Sequence, residues 1–347
     1  MIQSLEIIII ACFVASAAAI PGVFLILRKT AMISDAISHS VLLGIILMFF
    51  IVNNIHSPLL IIGAALAGLV TVSLTELLIK TKRMKQDAAI GLIFPLLFAI
   101  AIVLINTYTS NIHLDQDTVL LGEIAFAPFN RLILNNIDFG PIAIWIMGLI
   151  LLSNISGLIL LYKELKLTTF DPNLARSMGI STVGINYALM TSVSITAVGA
   201  FEVVGAILIV ALMITPPATA YLLTNRLSTM IKLSILIGCM SAIIGYILAI
   251  FVDGSIAGSM CTISGIIFII ALLFSNEHGL LLKYYTYKKQ QVEFCATLLT
   301  VQLLDHENTK KELYENSFSN LIQHMKWSQD FSKKVIGYSL SKQLIIN

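Results

Sequence analysis

The chain is 347 residues long, 58% hydrophobic and only 12% charged, with a mean hydropathy of +0.93. Soluble globular proteins carry about 25% charged residues, so a water-soluble fold has nowhere to hide this apolar surface, whereas lipid accepts it. The net charge of +2 says little; its distribution says more, because residues 283–347 hold 15 charged residues (nine Lys, six Asp or Glu) against 25 in the first 282. A membrane domain over 1–282 and a polar, helical cytoplasmic tail over 283–347 are expected.

The N-terminal MIQSLE lacks the basic start of a secretory signal. ASAAA at 15–19 resembles a cleavage site, but 5–27 reads as a retained helix. A spanning helix needs about 20 mostly apolar residues. Segments at 5–27, 34–52, 58–79, 88–108, 139–162, 183–201, 203–223, 230–251 and 256–275 qualify. Runs such as IIIIACFVASAAAI lack the period-two alternation of a spanning barrel, so the expected fold is an all-α polytopic bundle of eight or nine helices. Small residues (AALAGL at 64–69, AVGA at 197–200) suit close helix packing in lipid. Cys12, Cys239, Cys261 and Cys295 have no paired spacing, so neither a disulfide framework nor a zinc knuckle is implied.

Orientation follows from the loop cations. One set of loops carries Arg28, Lys29, Lys80, Lys82, Arg83, Lys85, Lys163, Lys166, Arg176, Arg226 and Lys232; the other carries only Arg131. The first set is cytoplasmic. The alternation holds if 183–223 crosses twice, giving nine spans with the N-terminus outside. A single broken helix there would give eight and put Arg226 outside.

Ionisable groups within spans are costly and commonly functional. Asp35 and His39, in AMISDAISHSVLLG, are four residues apart and share a helix face. A carboxylate with an imidazole suits a divalent manganese, iron or zinc ion. The plainer alternative is a helix cap at Ser34 or Asp35 beside a snorkelling histidine. Glu202 is a third candidate for the metal path; its alternative is an external turn, far from Asp35. Pro216-Pro217 should disturb the helix around them, because neither supplies a backbone donor. The acidic external stretch with His113, Asp115, Asp117 and Glu123 could attract cations, although plain loop solvation accounts for it; His56 reads as a loop residue. TVLLGEIAFAPF at 118–129 is too short to span and suits the membrane interface.

In the cytoplasmic loop KELKLTTFDPNLARSMGI, Asp171 suits an N-cap, Pro172 the first helical position and Gly179 the residue after a helix end. A short helix over about 172–178 follows, either a connector or a peg that docks a cytoplasmic partner.

GVFLILRKTAMISDAISHSVLLG, FDPNLARSMG, EVVGAILIVALMITPPATAYLLT and SIAGSMCTISG occur in order and resemble the permease subunits of manganese/zinc/iron ABC importers over about residues 5–282. That resemblance implies a fold related to the vitamin B12 importer permeases, in the bacterial cytoplasmic membrane. It implies a homodimer or a second permease subunit, a cytoplasmic ABC ATPase, and an external metal-binding lipoprotein. It puts Asp35 and His39 on the metal pathway and Asp171, Pro172, Leu174, Ala175 and Gly179 in the segment coupled to the ATPase. No Gly-Lys dipeptide occurs, so there is no GxxxxGK[ST] phosphate loop and ATP must be hydrolysed by another chain. The expected cargo is a divalent metal, with no permanently bound cofactor. An ATPase-independent carrier or channel and a membrane-anchored regulator acting through its tail are the alternatives.

In the tail, 290–304 and 328–341 read as amphipathic helices, with 308–323 a candidate third. Their order faintly resembles the start of an iron-dependent repressor's winged helix, cut short before the wing. Nonspecific DNA binding requires several neutralised phosphates, and the tail's surplus is three positive charges. Docking or regulation is the stronger expectation, a vestigial appendage the weaker.

Overall fold

A computed structural model of the chain describes residues 2–53, 59–108, 124–134, 137–275, 279–306 and 325–345. The chain folds as two compact units, Met1–Leu272 and Leu273–Asn347. In the first, α1 (Ile2–Leu27), α2 (Met32–Val52), α3 (Leu59–Lys80) and α4 (Gln86–Tyr108) precede a 3-10 turn (Ile124–Phe129) and a small antiparallel hairpin, β1 (Arg131–Leu134) with β2 (Ile137–Pro141). Then come α5 (Ile142–Leu160), two short helices α6 (Tyr162–Phe170) and α7 (Pro172–Ser177), and α8 (Thr182–Leu223), α9 (Leu227–Val252) and α10 (Ile256–Phe274). Among the described residues, eight helices are long and apolar enough to cross a bilayer.

The core is built on α1 and α8, whose most apolar windows are each 72% buried, against 17% for α10. Ile10, Ala11, Val14, Ala15, Ala17 and Ala18 of α1 are fully enclosed, in one cluster with Leu208, Ile209, Leu212 and Met213 of α8. Alanines let the two backbones approach, so van der Waals contact holds them where lipid supplies no hydrophobic drive. Outward-facing Leu160, Ile51 and Phe251 stay exposed at the surface that acyl chains would cover.

Helices α2 and α3 approach about as closely. A Cβ at Gly44 would lie 2.2 Å from the Gly63 carbonyl oxygen, and one at Gly63 would lie 2.6 Å from that of Gly44. Overpacking a tight core costs about 1–3 kcal/mol, and here the obstruction is backbone, which cannot rotate away. Gly44→Leu should therefore lower the thermal midpoint of the detergent-purified protein by several degrees. Gly148→Ala, where an added Cβ meets nothing within 4 Å, should leave it unchanged.

The 42-residue α8 would be about 63 Å long if straight, twice the hydrocarbon core. It is two helices merged across Gly205, whose φ of 79° and ψ of 167° lie in a region essentially reserved for glycine. The first limb begins beside the C-terminal end of α1: Asn186 accepts a hydrogen bond from Arg28. Farther along, Asn154 bridges Thr196 and the Ala17 carbonyl. After Gly205 the direction reverses, with Met213 and Pro217 against Gly22, then Ala220 in a cluster with Val23 and Phe24. Both limbs pass the same length of α1 in opposite senses, so both ends of α8 lie on one side, as the double crossing of 183–223 requires.

The expected disturbance at Pro216-Pro217 is not where the chain breaks. Helix continues through both prolines. Pro217 removes a donor to the Met213 carbonyl four residues back, and that carbonyl packs against Gly22, where no side chain intrudes. The break falls instead at Gly205, three residues past the expected turn.

A cysteine replacing Arg226, in a background lacking the native cysteines, should resist an impermeant thiol reagent in intact cells and react after permeabilisation. Labelling in intact cells would return the loop to the outside.

In the second unit, α11 (Leu280–His306) and α12 (Gln329–Ser341) enclose Cys295, Ala296, Leu299 and Val335. Ser328 caps α12, and Tyr338 Oη donates to Glu293 Oε1 at 2.9 Å. The third tail helix expected over 308–323 lies outside the described residues.

Candidate metal pathway and coupling surface

Helix α1 ends in a tight turn. Lys29 takes the left-handed conformation (φ 59°), and the Thr30 and Lys29 amides return to the Leu25 and Ile26 carbonyls at 2.9 and 3.0 Å. That pattern is a Schellman ending, and it aims the chain directly into α2. Neither Ser34 nor Asp35 caps α2: the N-cap position is Ala31, with no side-chain hydrogen bond, and Ser34 Oγ donates back to the Ala31 carbonyl.

Ala36, Ile37, Ser38 and Ser40 face the protein interior. Asp35 and His39 lie together on the other face, each side chain 34% exposed, with His39 Nε2 3.5 Å from Asp35 Oδ1. The imidazole stacks on Phe94 (centroids 5.6 Å apart, planes at 27°) and meets Phe98 edge-on, so α4 holds the ring while leaving Nε2 towards Asp35. Two donors on one tetrahedral zinc ion, at bond lengths near 2.0–2.1 Å, are about 3.3 Å apart. The pair is thus spaced to share one ion with almost no movement.

Glu202 is exposed and does not join them. Val198, one turn earlier on α8, packs with Val41, which places Glu202 level with about residue 45 of α2. At 1.5 Å per residue that is roughly 15 Å along the helix from Asp35. Among the described residues no three His, Cys, Asp or Glu side chains gather as a metal centre. His56, His113, Asp115, Asp117 and Glu123 lie outside the described residues.

At the opposite end, the hairpin is drawn onto the start of α1. Arg131 Nε meets Asp138 Oδ2 at 2.7 Å, and Nη2 meets Glu6 Oε1 at 3.1 Å. The Gly140 amide, then Arg131, hold the Asp138 carboxyl below its ordinary range. Ile124 and Pro128 of the 3-10 turn are buried there.

The 171–179 segment is capped at both ends. Asp171 accepts from the Asn173 and Leu174 amides at 3.2 and 2.9 Å, with Pro172 leading α7. Gly179, at φ 79°, closes a second Schellman ending through Gly179 N–H to Arg176 O and Ile180 N–H to Ala175 O, both 3.0 Å. Ala175 is fully buried, whereas Leu174 is 46% exposed, flanked by Phe170 and Met178 at 60% and 65%. The sequence reading singled out Leu174 and Ala175 together and passed over Phe170 and Met178. The available signal was two large apolar side chains bracketing a short capped helix in an otherwise polar loop.

The model of the ABC 3 transport family matches residues 3–275. The chain belongs to the ABC 3 transport family. It is 42% identical over 343 residues to the zinc transport system membrane protein TroD of Treponema pallidum, covering 99% of this chain and 93% of TroD. It is 44% identical over 262 residues to the manganese transport system membrane protein MntD of Bacillus subtilis, covering 76% and 88%. The solved structure of PsaBC from Streptococcus pneumoniae in complex with Fab superposes with a TM-score of 0.66 at 28% identity, covering 82% of this chain and 94% of that one. As an ABC 3 transport family member, the chain is a multi-pass permease of the bacterial inner membrane. Its tail lies beyond the family match but largely within the stretch aligned to TroD.

Proposed function

We propose that this chain forms the translocation path of an ATP-driven importer of a divalent transition metal ion, manganese, zinc or iron. The single observation that carries the reading is the Asp35–His39 pair, 3.5 Å apart and part-exposed on a membrane helix. Relatives named for zinc and manganese transport support it. Two donors are half of a tetrahedral shell, and the missing half is supplied by water or by the equivalent pair of a second permease subunit, identical or homologous. Conduction requires release as well as capture, so a half-site on each subunit is a better conductor than one complete cage. Glu202, higher on the bundle, is a secondary station on the same path.

The capped 171–179 segment docks a separate cytoplasmic ATPase through Phe170, Leu174 and Met178, and an external metal-binding lipoprotein delivers the ion. The tail serves as a cytoplasmic docking or regulatory module, not a DNA-binding one. The reading is tested by reconstituting the chain with the ATPase and lipoprotein and following radioactive manganese and zinc. Uptake should require internal ATP and the lipoprotein; uptake without ATP would make the chain a secondary carrier.

A further inference from the structure

Arg28 stands at the end of α1, four residues before α2, and its side chain reaches the helix that leads into the 171–179 segment. Its Nε donates to Thr169 Oγ1 at 3.1 Å, Nη2 to Thr168 Oγ1 at 3.0 Å and Nη1 to Asn186 Oδ1 at 2.9 Å. Asn186 Nδ2 in turn donates to Glu76 Oε1. One guanidinium therefore ties the end of α1 to α6, to the first limb of α8 and, through Asn186, to α3.

We propose that Arg28 is the positioning residue that transmits movement of the 171–179 segment to helix α2 and its Asp35–His39 pair. This rests on the permease reading given above.

The connectivity is short on both sides. Upstream, Thr168 and Thr169 lie three and two residues before Asp171, and Asp171 N–H continues the α6 ladder to Leu167 O at 2.9 Å. A displaced α7 must drag the two hydroxyls. Downstream, Arg28 is the residue that closes α1, its amide bonded to the Phe24 carbonyl, and the Lys29 and Thr30 amides are locked back onto Ile26 and Leu25, so α2 begins four residues after Arg28 with no slack. Asp35 is seven residues from Arg28.

The choice of partners also fits a transmitter. Among the described residues no ion pair involves Arg28; its acceptors are two hydroxyls and an amide oxygen. A guanidinium sunk beside a carboxylate is costly to separate. Neutral oxygens satisfy its donors while letting the contact be remade in a second geometry, and the fork reaches several acceptors at once, which a lysine ammonium on its flexible stem does not reproduce.

The experiment uses the whole complex (permease, ATPase and lipoprotein) in proteoliposomes, reading metal uptake and ATP hydrolysis together. Arg28→Ala, Arg28→Lys and the isosteric double variant Thr168→Val/Thr169→Val are compared with wild type. Loss of a hydrogen bond to a charged group corresponds to about tenfold or more. Metal moved per ATP should fall by at least that factor in Arg28→Ala and in the double valine variant, with basal hydrolysis and subunit assembly unchanged. Arg28→Lys should not restore it. Should Arg28→Ala fail to assemble, the double valine variant, which keeps shape and charge, decides. Wild-type uptake that is ATP-driven, with a wild-type ratio in the double valine variant, overturns the relay alone; wild-type uptake that needs no ATP overturns the relay and the permease reading together.

Discussion

Asp35→Asn and His39→Ala are each expected to cut metal uptake by roughly a hundredfold, the upper end of what loss of an outer-shell partner alone costs a metal site. Each variant removes one of only two donors that α2 offers. The asparagine keeps the shape and polarity of Asp35 while losing the charge that offsets a divalent ion's desolvation. The alanine removes Nε2 but leaves Phe94 and Phe98 packed on α4. Both side chains are 34% exposed and paired with each other on the face away from the core, so folding and association with the ATPase should survive. The measurement is radioactive manganese and zinc uptake in vesicles carrying the full complex, normalised to permease level. Uptake should also decline on acidification, because a protonated imidazole has no lone pair to give a metal. Wild-type rates in both variants would make the pair structural.

Leu174→Glu should abolish transport with comparable force by a different route. Leu174 is 46% exposed between Phe170 and Met178, so its replacement leaves the bundle undisturbed and places a charge in the apolar surface proposed to meet the ATPase. An unpaired charge in a desolvated contact costs several kcal/mol, enough for at least about a hundredfold loss of coupling. Membrane insertion should be normal and ATP hydrolysis should no longer respond to metal-loaded lipoprotein. Ala175→Glu is the contrasting variant: Ala175 is fully buried, so it should lower expression and thermal stability as well. If Leu174→Glu transports normally, the segment is a connector.

Much of this protein was legible in its sequence because lipid imposes a simple rule. Every backbone group in the hydrocarbon must be satisfied within its own helix, so long apolar runs could only be spanning helices, and loop cations could only mark the cytoplasmic side. Local chemistry was equally direct. The Asp171–Pro172 cap and the Gly179 ending are decided within a few residues, and the four-residue spacing of Asp35 and His39 puts them on one face whatever surrounds the helix.

What the sequence could not decide depended on groups far apart in the chain. The sequence put the turn near Glu202 and a disturbance at Pro216-Pro217, because a missing donor is a local fact; that the freed Met213 carbonyl could rest against Gly22 is a tertiary one, and the reversal falls at Gly205, free of the Cβ restriction. Glu202 was a candidate for the metal path by residue type, with an external turn far from Asp35 as its alternative; the packing of Val198 on Val41 sets it roughly 15 Å from Asp35 along the bundle. Arg28 read as one more cytoplasmic cation, since nothing local predicts that Thr168, Thr169 and Asn186 converge on it. Composition, periodicity and capping thus determined that the chain is a bundle of eight or nine apolar helices with a capped short helix after Asp171, because those features are set by short-range sterics and the solvent. The tertiary structure alone decided which polar groups meet, because that depends on how closely small residues such as Gly44 and Gly63 let the helices approach.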